Sequence, residues 1–348
     1  MSLKFWQTTR SDTGKATNGF SYLAADAYYF DSACQTLRPQ SVINQELAYY
    51  HEYNACGGRV KYPWGARVDE KVEKTRSSLL EFVGVSPKHY AVAFTLNATL
   101  GINLVLQQIP AGKYQTIITS DIEHNSVFLP TITYAKQHQL SRLVLERDRE
   151  GNLLYTKDQL VRSIVIVNVT SNIDGRSLLN LAKLAQDIHE QEGLLLLDGC
   201  QTLAHHSKLL HNVPFDALFG SGHKVYAPSC GFVVIKKDLL LKLAPYFLGG
   251  GTVGDVLENS YDLLQTSDEL YSRLELGLQD YAAIIGLGEA LDWYQQFHHE
   301  KLDAVAYEQQ LSDQLYTGMK TLPYVQIINS QSSPLVAFYP ERVDSHML

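Results

Sequence analysis

From about residue 70 to 235 the sequence alternates short, strongly apolar runs with stretches of helical periodicity, and few folds can bury that pattern. The runs are HYAVAFTL, QTIITSD, SRLVLERD, SIVIVNVTS, GLLLLDG and DALFGSG, each followed by turn-forming residues. Their continuous apolarity marks strands covered on both faces. Between them lie EKVEKTRSSLLEFVG, which closes on Gly84, then ATLGINLVLQQI and SLLNLAKLAQDIHEQE, all amphipathic at helical spacing. That order predicts an α/β fold with a mainly parallel central sheet flanked by helices.

After Gly249-Gly250-Gly251 the texture changes to long helices, followed by the strand candidate SPLVAFYP. The expected division is a large domain over 28–262 and a smaller α+β domain over 263–348. Residues 1–27 are expected to pack on the smaller one.

The 348 residues are 45% hydrophobic, which is ample for a full core. A net charge of −8 with acidic and basic residues interspersed argues against nucleic-acid or anionic-membrane partners. No apolar stretch approaches a membrane span and the amino terminus is polar, so the cytoplasm is the expected location. Cys34, Cys56, Cys200 and Cys230 are widely spaced and form no CxxC pair. The histidines are scattered too, with His205-His206 and His298-His299 as adjacent pairs, so no metal site is expected.

Ligands of such sheets sit beyond the carboxyl ends of the strands, and the polar residues there carry the chemistry. Lys224 follows the turn Gly220-Ser221-Gly222 and precedes an apolar run, at the lip of the core. Taken alone it is a surface lysine of a loop. Asp198 ends GLLLLD, where a carboxylate is costly without a partner or a role; taken alone, it caps the next helix. His124, Asn172 and Gln201 lie at other strand ends. Together these groups suit pyridoxal phosphate. That cofactor needs a lysine amine to hold it as a Schiff base and an acid to keep its ring nitrogen protonated. It also needs donors for the ring oxygen, a flat group over the ring, and hydroxyls and amides at a helix N-terminus for the phosphate. Lys224, Asp198, Gln201 with Asn172, His124, and Thr99 with Ser221 and His223 meet those needs in turn.

The motifs DGCQTLAHH, SGHKVYAPSCG, TSNIDG, DIEHNS and NATLGINLV, and GGG followed by IIGLGEAL, stand in an order that resembles the class V aminotransferase-type pyridoxal-phosphate enzymes, cysteine desulfurases and selenocysteine lyases above all. YYFDSACQTLRP resembles the opening strand and turn of that family, with Cys34 where a small residue is usual. The resemblance spans about residues 28 to 290. It implies a fold type I homodimer with its active sites at the subunit interface, acting on a small amino acid and passing sulfur to an acceptor protein. It carries over Lys224 as Schiff-base lysine, Asp198 as partner of the ring nitrogen, and His124 as the stacking group. Gln201 and Asn172 would contact the ring oxygen, and Ala98, Thr99, Ser221 and His223 the phosphate. C–S or C–Se cleavage is the first expectation. Transamination, epimerisation, another β-elimination or a non-catalytic cofactor-binding role are the alternatives.

Three departures stand out. The family's catalytic cysteine and its carboxylate-binding arginine lie beyond a strand like SPLVAFYP, where no residue of this sequence can be assigned to them; set against the family, the small domain, ending in ERVDSHML within what should be a helix, is expected to be truncated. Cys56, in a glycine-rich stretch, and Cys34 are read first as simple packed thiols; as replacements for that cysteine, Cys56 comes first and Cys34 second. Leu278 stands where a threonine of the partner subunit usually reaches the phosphate. Finally, NACGGRVKYPWGARVDEK differs from the family's segment. Its Pro63-Trp64-Gly65 would reshape the entrance; Arg59 and Arg67 are read first as solvated surface arginines, with carboxylate binding there as the alternative.

Overall fold

The computed structural model describes residues 19–24, 26–58, 62–263, 270–300 and 304–329, then 332–344, with backbone alone at 297–300. Seven strands form the central sheet: β1 (Tyr90–Thr95), β2 (Thr116–Ser120), β3 (Ser141–Leu145), β4 (Ser163–Asn168), β5 (Leu194–Asp198), β6 (Ala217–Ser221) and β7 (Gly231–Lys236). Their spatial order is β1-β7-β6-β5-β4-β2-β3. Six run parallel, as the apolar runs predict, and β7 runs against both of its neighbours. The reversal follows from the short connection out of β6. Only a tight turn, Gly222 to Cys230, separates the two strands, and a parallel return would need a crossover of a dozen or more residues. Gly231 opens β7 hard against the loop after β1, where a Cβ would overlap the Asn97 backbone.

Side-chain alternation along each strand divides the core in two. Val165, Val167, Leu195, Leu197 and Val234 point to one face, packed beneath α1 (Gln40–Glu52), α2 (Pro63–Val83), α5 (Leu181–Glu190) and α8 (Tyr281–Glu300). Ile164, Ile166, Leu196, Phe219 and Val233 point to the other, under α3 (Ala98–Gln108) and α4 (Asn125–His138). β4 is buried at every position, which is why its central run from Ile164 to Val167 is wholly apolar.

Local chemistry fixes the helix ends that matter for the site. Pro63 starts α2 at a position whose N–H has no helical partner in any case. Gly84 ends it in the left-handed region with φ of 77°. The Asn97 side chain caps α3 by accepting the Leu100 N–H at 2.9 Å. Two four- and six-residue helices, α6 (Thr202–His205) and α7 (Lys237–Lys242), follow β5 and β7.

Beyond the glycine run, α8 lies past the 262/263 boundary expected from the change in texture. Yet Ala282, Ile284, Ile285, Leu287 and Leu291 share the core of the sheet with α1 and α2. The texture change therefore marks a change of element type, not the edge of the main core. A buried ion pair adds to this packing. Arg76 of α2 is bidentate to Glu275 at 2.6 and 2.8 Å, and Glu275 also accepts the Phe94 N–H of β1 at 2.7 Å. The remaining described elements are the short antiparallel pair β8 (Val253–Val256) and β9 (Tyr261–Leu263), α9 (Ala304–Lys320), and the pair β10 (Val325–Ile327) and β11 (Phe338–Pro340). SPLVAFYP thus yields only the three-residue β11. Of the segment 1–27, the part up to Asn18, and Ala25, lie outside the described residues; Phe20 packs edge-on against Trp293 of α8 at 5.8 Å. No described helix is long and apolar enough to cross a membrane.

Candidate active site

Five of the six parallel strands end at one cavity of about 430 Å³. Ala98 and Thr99 reach it from the start of α3, His124 from the end of β2, and Asn172 from the loop after β4. Asp198 and Gln201 come from the end of β5, and Ser221, His223 and Lys224 from the end of β6. All nine residues singled out from the sequence line this space. Asp31, Ser126, Asn168 and Cys200 line it as well and were not anticipated. Two of these had a signal. Ser126 is the next polar residue but one after His124, and Asn168 ends its strand directly opposite Asp198 in register.

Charge is the first feature of the cavity. Lys224 is half-buried, and its Nζ has no hydrogen-bond or ion-pair partner among the described residues. Asp198 is only 5% exposed, and its Oδ1 accepts the Cys200 N–H at 3.0 Å. No described cation pairs with it, although Lys224 lines the same cavity. A buried carboxylate is costly without compensation, and a single backbone N–H compensates only part of that cost. The two side chains are therefore not paired with each other, and both face the same cavity.

Hydroxyl and imidazole groups form the opposite wall. Ser126 Oγ lies 2.6 Å from Thr99 Oγ1 and 2.9 Å from His124 Nδ1, and its N–H donates to the same Nδ1 at 3.1 Å. That amide makes Nδ1 an acceptor, so the proton of the neutral ring sits on Nε2. Across the cavity Ser221 Oγ accepts the Ala98 N–H at 3.3 Å. Burial, followed by the charges of Lys224 and Arg38, holds the His223 imidazole below its usual pKa, which favours the neutral ring.

Beneath this wall lies a wholly buried support. Arg147 donates to Glu123 at 3.1 Å and to the Asn168 carbonyl at 2.5 Å, and neither charged side chain has any exposure. Glu123 accepts the Asn168 N–H at 2.6 Å and the Ser120 hydroxyl. Because Glu123 directly precedes His124, this cluster fixes the ends of β2 and β4 relative to each other. Asn172 is held from the far side. Its loop contains Gly175, with φ of 68°, whose carbonyl accepts from Ser333 Oγ, and Asn329 donates to the Asp174 carbonyl at 2.6 Å.

The rim is the turn Asp31 to Cys34. Gln201 donates to the Ala33 carbonyl at 2.9 Å, which commits one of its two amide hydrogens to the rim. Thr36 donates its N–H to the His223 carbonyl at 2.8 Å, and its hydroxyl accepts the Tyr226 N–H at the same distance. The turn is thus stitched to both sides of the cavity.

Other expected groups lie elsewhere. Arg67 is paired with Glu52 at 2.8 Å and stacked over the Tyr53 ring at 3.9 Å, so its guanidinium is engaged away from the cavity, contrary to a carboxylate-binding role there. Arg59 lies outside the described residues. Pro63 and Trp64 form the first turn of α2 and do not line the cavity. Cys56 is exposed and outside the cavity, whereas Cys34 lines it. Leu278 is 73% exposed and lines a separate, mostly apolar groove with Leu96, Leu100 and Phe247. All four cysteines are free. Among the described residues no group of three or more His, Cys, Asp and Glu side chains is placed to hold a metal ion.

The family profile described as aminotransferase class V matches residues 28–348. A probable cysteine desulfurase of Haemophilus influenzae is 30% identical over 328 residues, covering 91% of this chain and 72% of the relative. A probable cysteine desulfurase of Synechocystis is 28% identical over 309 residues, 86% of this chain and 71% of the relative. The solved structure of the cysteine desulfurase CsdA of Escherichia coli superposes with a TM-score of 0.82 at 23% identity. That match covers 96% of this chain and 84% of the other, and shows a shared fold.

Proposed function

The chain belongs to the class V aminotransferase family, whose members depend on pyridoxal phosphate, and from that premise we propose that it cleaves the C–S bond of cysteine, or the C–Se bond of selenocysteine. The observation that carries this reading is the separation of Lys224 from Asp198. Both line one cavity at the carboxyl ends of the parallel strands, and neither has an oppositely charged partner among the described residues. A flat molecule with an aldehyde on one side and a basic ring nitrogen on the other fits between them, with its phosphate at the first turn of α3.

In this reading Lys224 Nζ holds the cofactor covalently and Asp198 keeps a proton on its ring nitrogen. Asn172 and Gln201 face the ring oxygen. His124, oriented through Ser126, covers the ring. The amides of Ala98 and Thr99, the hydroxyls of Thr99 and Ser221, and the neutral His223 ring hold the phosphate. When bound, the cofactor supplies an electron sink for the substrate carbons. Lys224, freed by the incoming substrate amine, carries the proton between Cα and the neighbouring positions. A homodimeric, cytoplasmic enzyme goes with this reading, as does a division into a cofactor-holding unit and a smaller unit built on α9, β10 and β11.

The test is an absorption spectrum of the full chain with pyridoxal phosphate, before and after L-cysteine. A visible band is expected that is lost in Lys224→Ala and shifts with cysteine as alanine accumulates. A wild-type protein that gains no band would sink the cofactor assignment. A band inert to both cysteine and selenocysteine would sink the activity.

A further inference from the structure

We propose that Asn329 is a positioning residue of the cofactor site, holding the turn that aims Asn172 at the ring oxygen; the role given to Asn172 rests on the reading above. Asn329 lies in the connection between β10 and β11 and is no part of the cavity wall. It is 5% exposed, and both of its amide hydrogens and its oxygen are engaged. Nδ2 donates to the Asp174 carbonyl at 2.6 Å and to the Leu335 carbonyl at 2.8 Å, and Oδ1 accepts the Ala337 N–H at 2.6 Å. One side chain thus shapes its own connection and fastens it to a turn 155 residues away.

That turn carries Asn172. It closes through the Gly175 N–H on the Ser171 carbonyl at 3.0 Å, while Ser171 Oγ accepts the Ile173 N–H at 3.1 Å. None of these bonds involves the Asn172 side chain, which lines the cavity half-buried and has no hydrogen-bond partner among the described residues. Its direction is therefore set by the backbone of the turn. Two supports hold that backbone. On one side Arg176 pairs with Asp174 at 2.7 Å and donates to the Asp148 carbonyl at 2.7 Å. On the other, Asn329 binds the Asp174 carbonyl and Ser333 Oγ donates to the Gly175 carbonyl at 3.4 Å. The approach is close, since a Cβ on Gly175 would overlap Ser333 Oγ.

Substitution at Asn329 has a definite sign. Aspartate keeps an oxygen to accept the Ala337 N–H, but it brings a second acceptor to the place of the two amide hydrogens. That oxygen meets the carbonyls of Asp174 and Leu335 with no hydrogen between them, and a buried acceptor left so is costly. The connection then lifts from the turn, which keeps its Arg176 support alone, and Asn172 loses its fixed aim. Alanine removes the same donors without adding a charge, so it acts in the same direction and less strongly.

The test measures pyridoxal phosphate binding to the full chain by absorption and by visible circular dichroism, which reports how the bound ring is held. In Asn329→Asp the dissociation constant should rise about five- to tenfold, the scale of one hydrogen bond, and the dichroic band should change with it. Asn172→Ala should show a similar rise directly. In the Asn172→Ala background Asn329→Asp should add less than about twofold, because both act through one contact. A lowered unfolding midpoint with wild-type affinity and dichroism in both Asn329→Asp and Asn329→Ala would make Asn329 a structural residue only and overturn the proposal. An effect that multiplies undiminished in the Asn172→Ala background would overturn it too. Unchanged affinity in Asn172→Ala would overturn the ring-oxygen role of Asn172 and this proposal together, leaving Lys224 as the cofactor's attachment. A wild-type chain that takes up no cofactor would overturn the whole reading.

Discussion

Replacing Asp198 by Asn separates the two roles open to a carboxylate at the end of β5. The side chain is 5% exposed and accepts one hydrogen bond, from Cys200 N–H, with no cation paired to it among the described residues. Asparagine keeps an oxygen in the same place and can still accept that bond. What it removes is a buried, incompletely compensated charge. Without cofactor the variant should thus be as stable as the wild type or slightly more so, since discharging such a site is neutral to favourable. With cofactor the sign reverses. A charge-assisted hydrogen bond to a ring N–H is worth about 1.5–3 kcal/mol, so the dissociation constant should rise roughly 10- to 150-fold. The stabilisation that a fixed cofactor concentration confers should shrink by up to the same amount. Denaturant unfolding with and without pyridoxal phosphate, beside a spectroscopic binding titration, reads both effects. If Asp198→Asn costs the cofactor-free protein more than about 1 kcal/mol, beyond an ordinary surface change, and leaves cofactor affinity intact, then Asp198 is a structural cap and the reasoning fails.

Glu275→Gln leaves the buried Arg76 guanidinium uncompensated between α2 and β1, so unfolding in denaturant should show a loss of about 3–5 kcal/mol; a loss under about 1 kcal/mol would mean water reaches the pair. Gly175→Ala forces a side chain into positive φ and onto Ser333 Oγ. It should cost about 1–3 kcal/mol in the same assay, only partly recovered in a Ser333→Gly background because the backbone strain persists. The His206 ring is held below its usual pKa by burial, then by His205, so the unfolded chain binds its proton more readily than the folded one. Stability from this group is complete above the unfolded value, near 6.5, and is lost as pH falls toward the folded one. His206→Gln should flatten the decline in unfolding free energy below about pH 6.5, and an unchanged pH profile would contradict the assignment.

The parts of this protein that periodicity reports were legible in its sequence. Continuous apolar runs such as SIVIVN become strands buried at every residue because both faces of the sheet are covered. Polar residues that end those runs fall on one edge because parallel strands all finish on the same side. That single geometric fact brings Ala98, Thr99, His124, Asn172, Asp198, Gln201, Ser221, His223 and Lys224 to one cavity from 127 residues of chain, Ala98 to Lys224. The end of α2 was readable too, since Gly84 acts through its own backbone within a turn.

What the sequence by itself determined, then, is the alternation, the edge and the residues on it. Tertiary structure alone decided which distant segments close over that edge. The reversed β7 depends on how tightly one turn folds, and the placement of α8 in the main core depends on what α1 and α2 leave uncovered. Arg67 resembled a free cation until Glu52 and Tyr53 were seen to hold it. Cys56 had the more suggestive neighbours in the chain, yet Cys34 reached the cavity, because hydrogen bonds from Gln201 and to His223 dock its turn there. Periodicity records only what repeats along the chain, and none of these pairings repeats, whether Arg67 with Glu52, 15 positions apart, or Gln201 with Ala33, 168 positions apart.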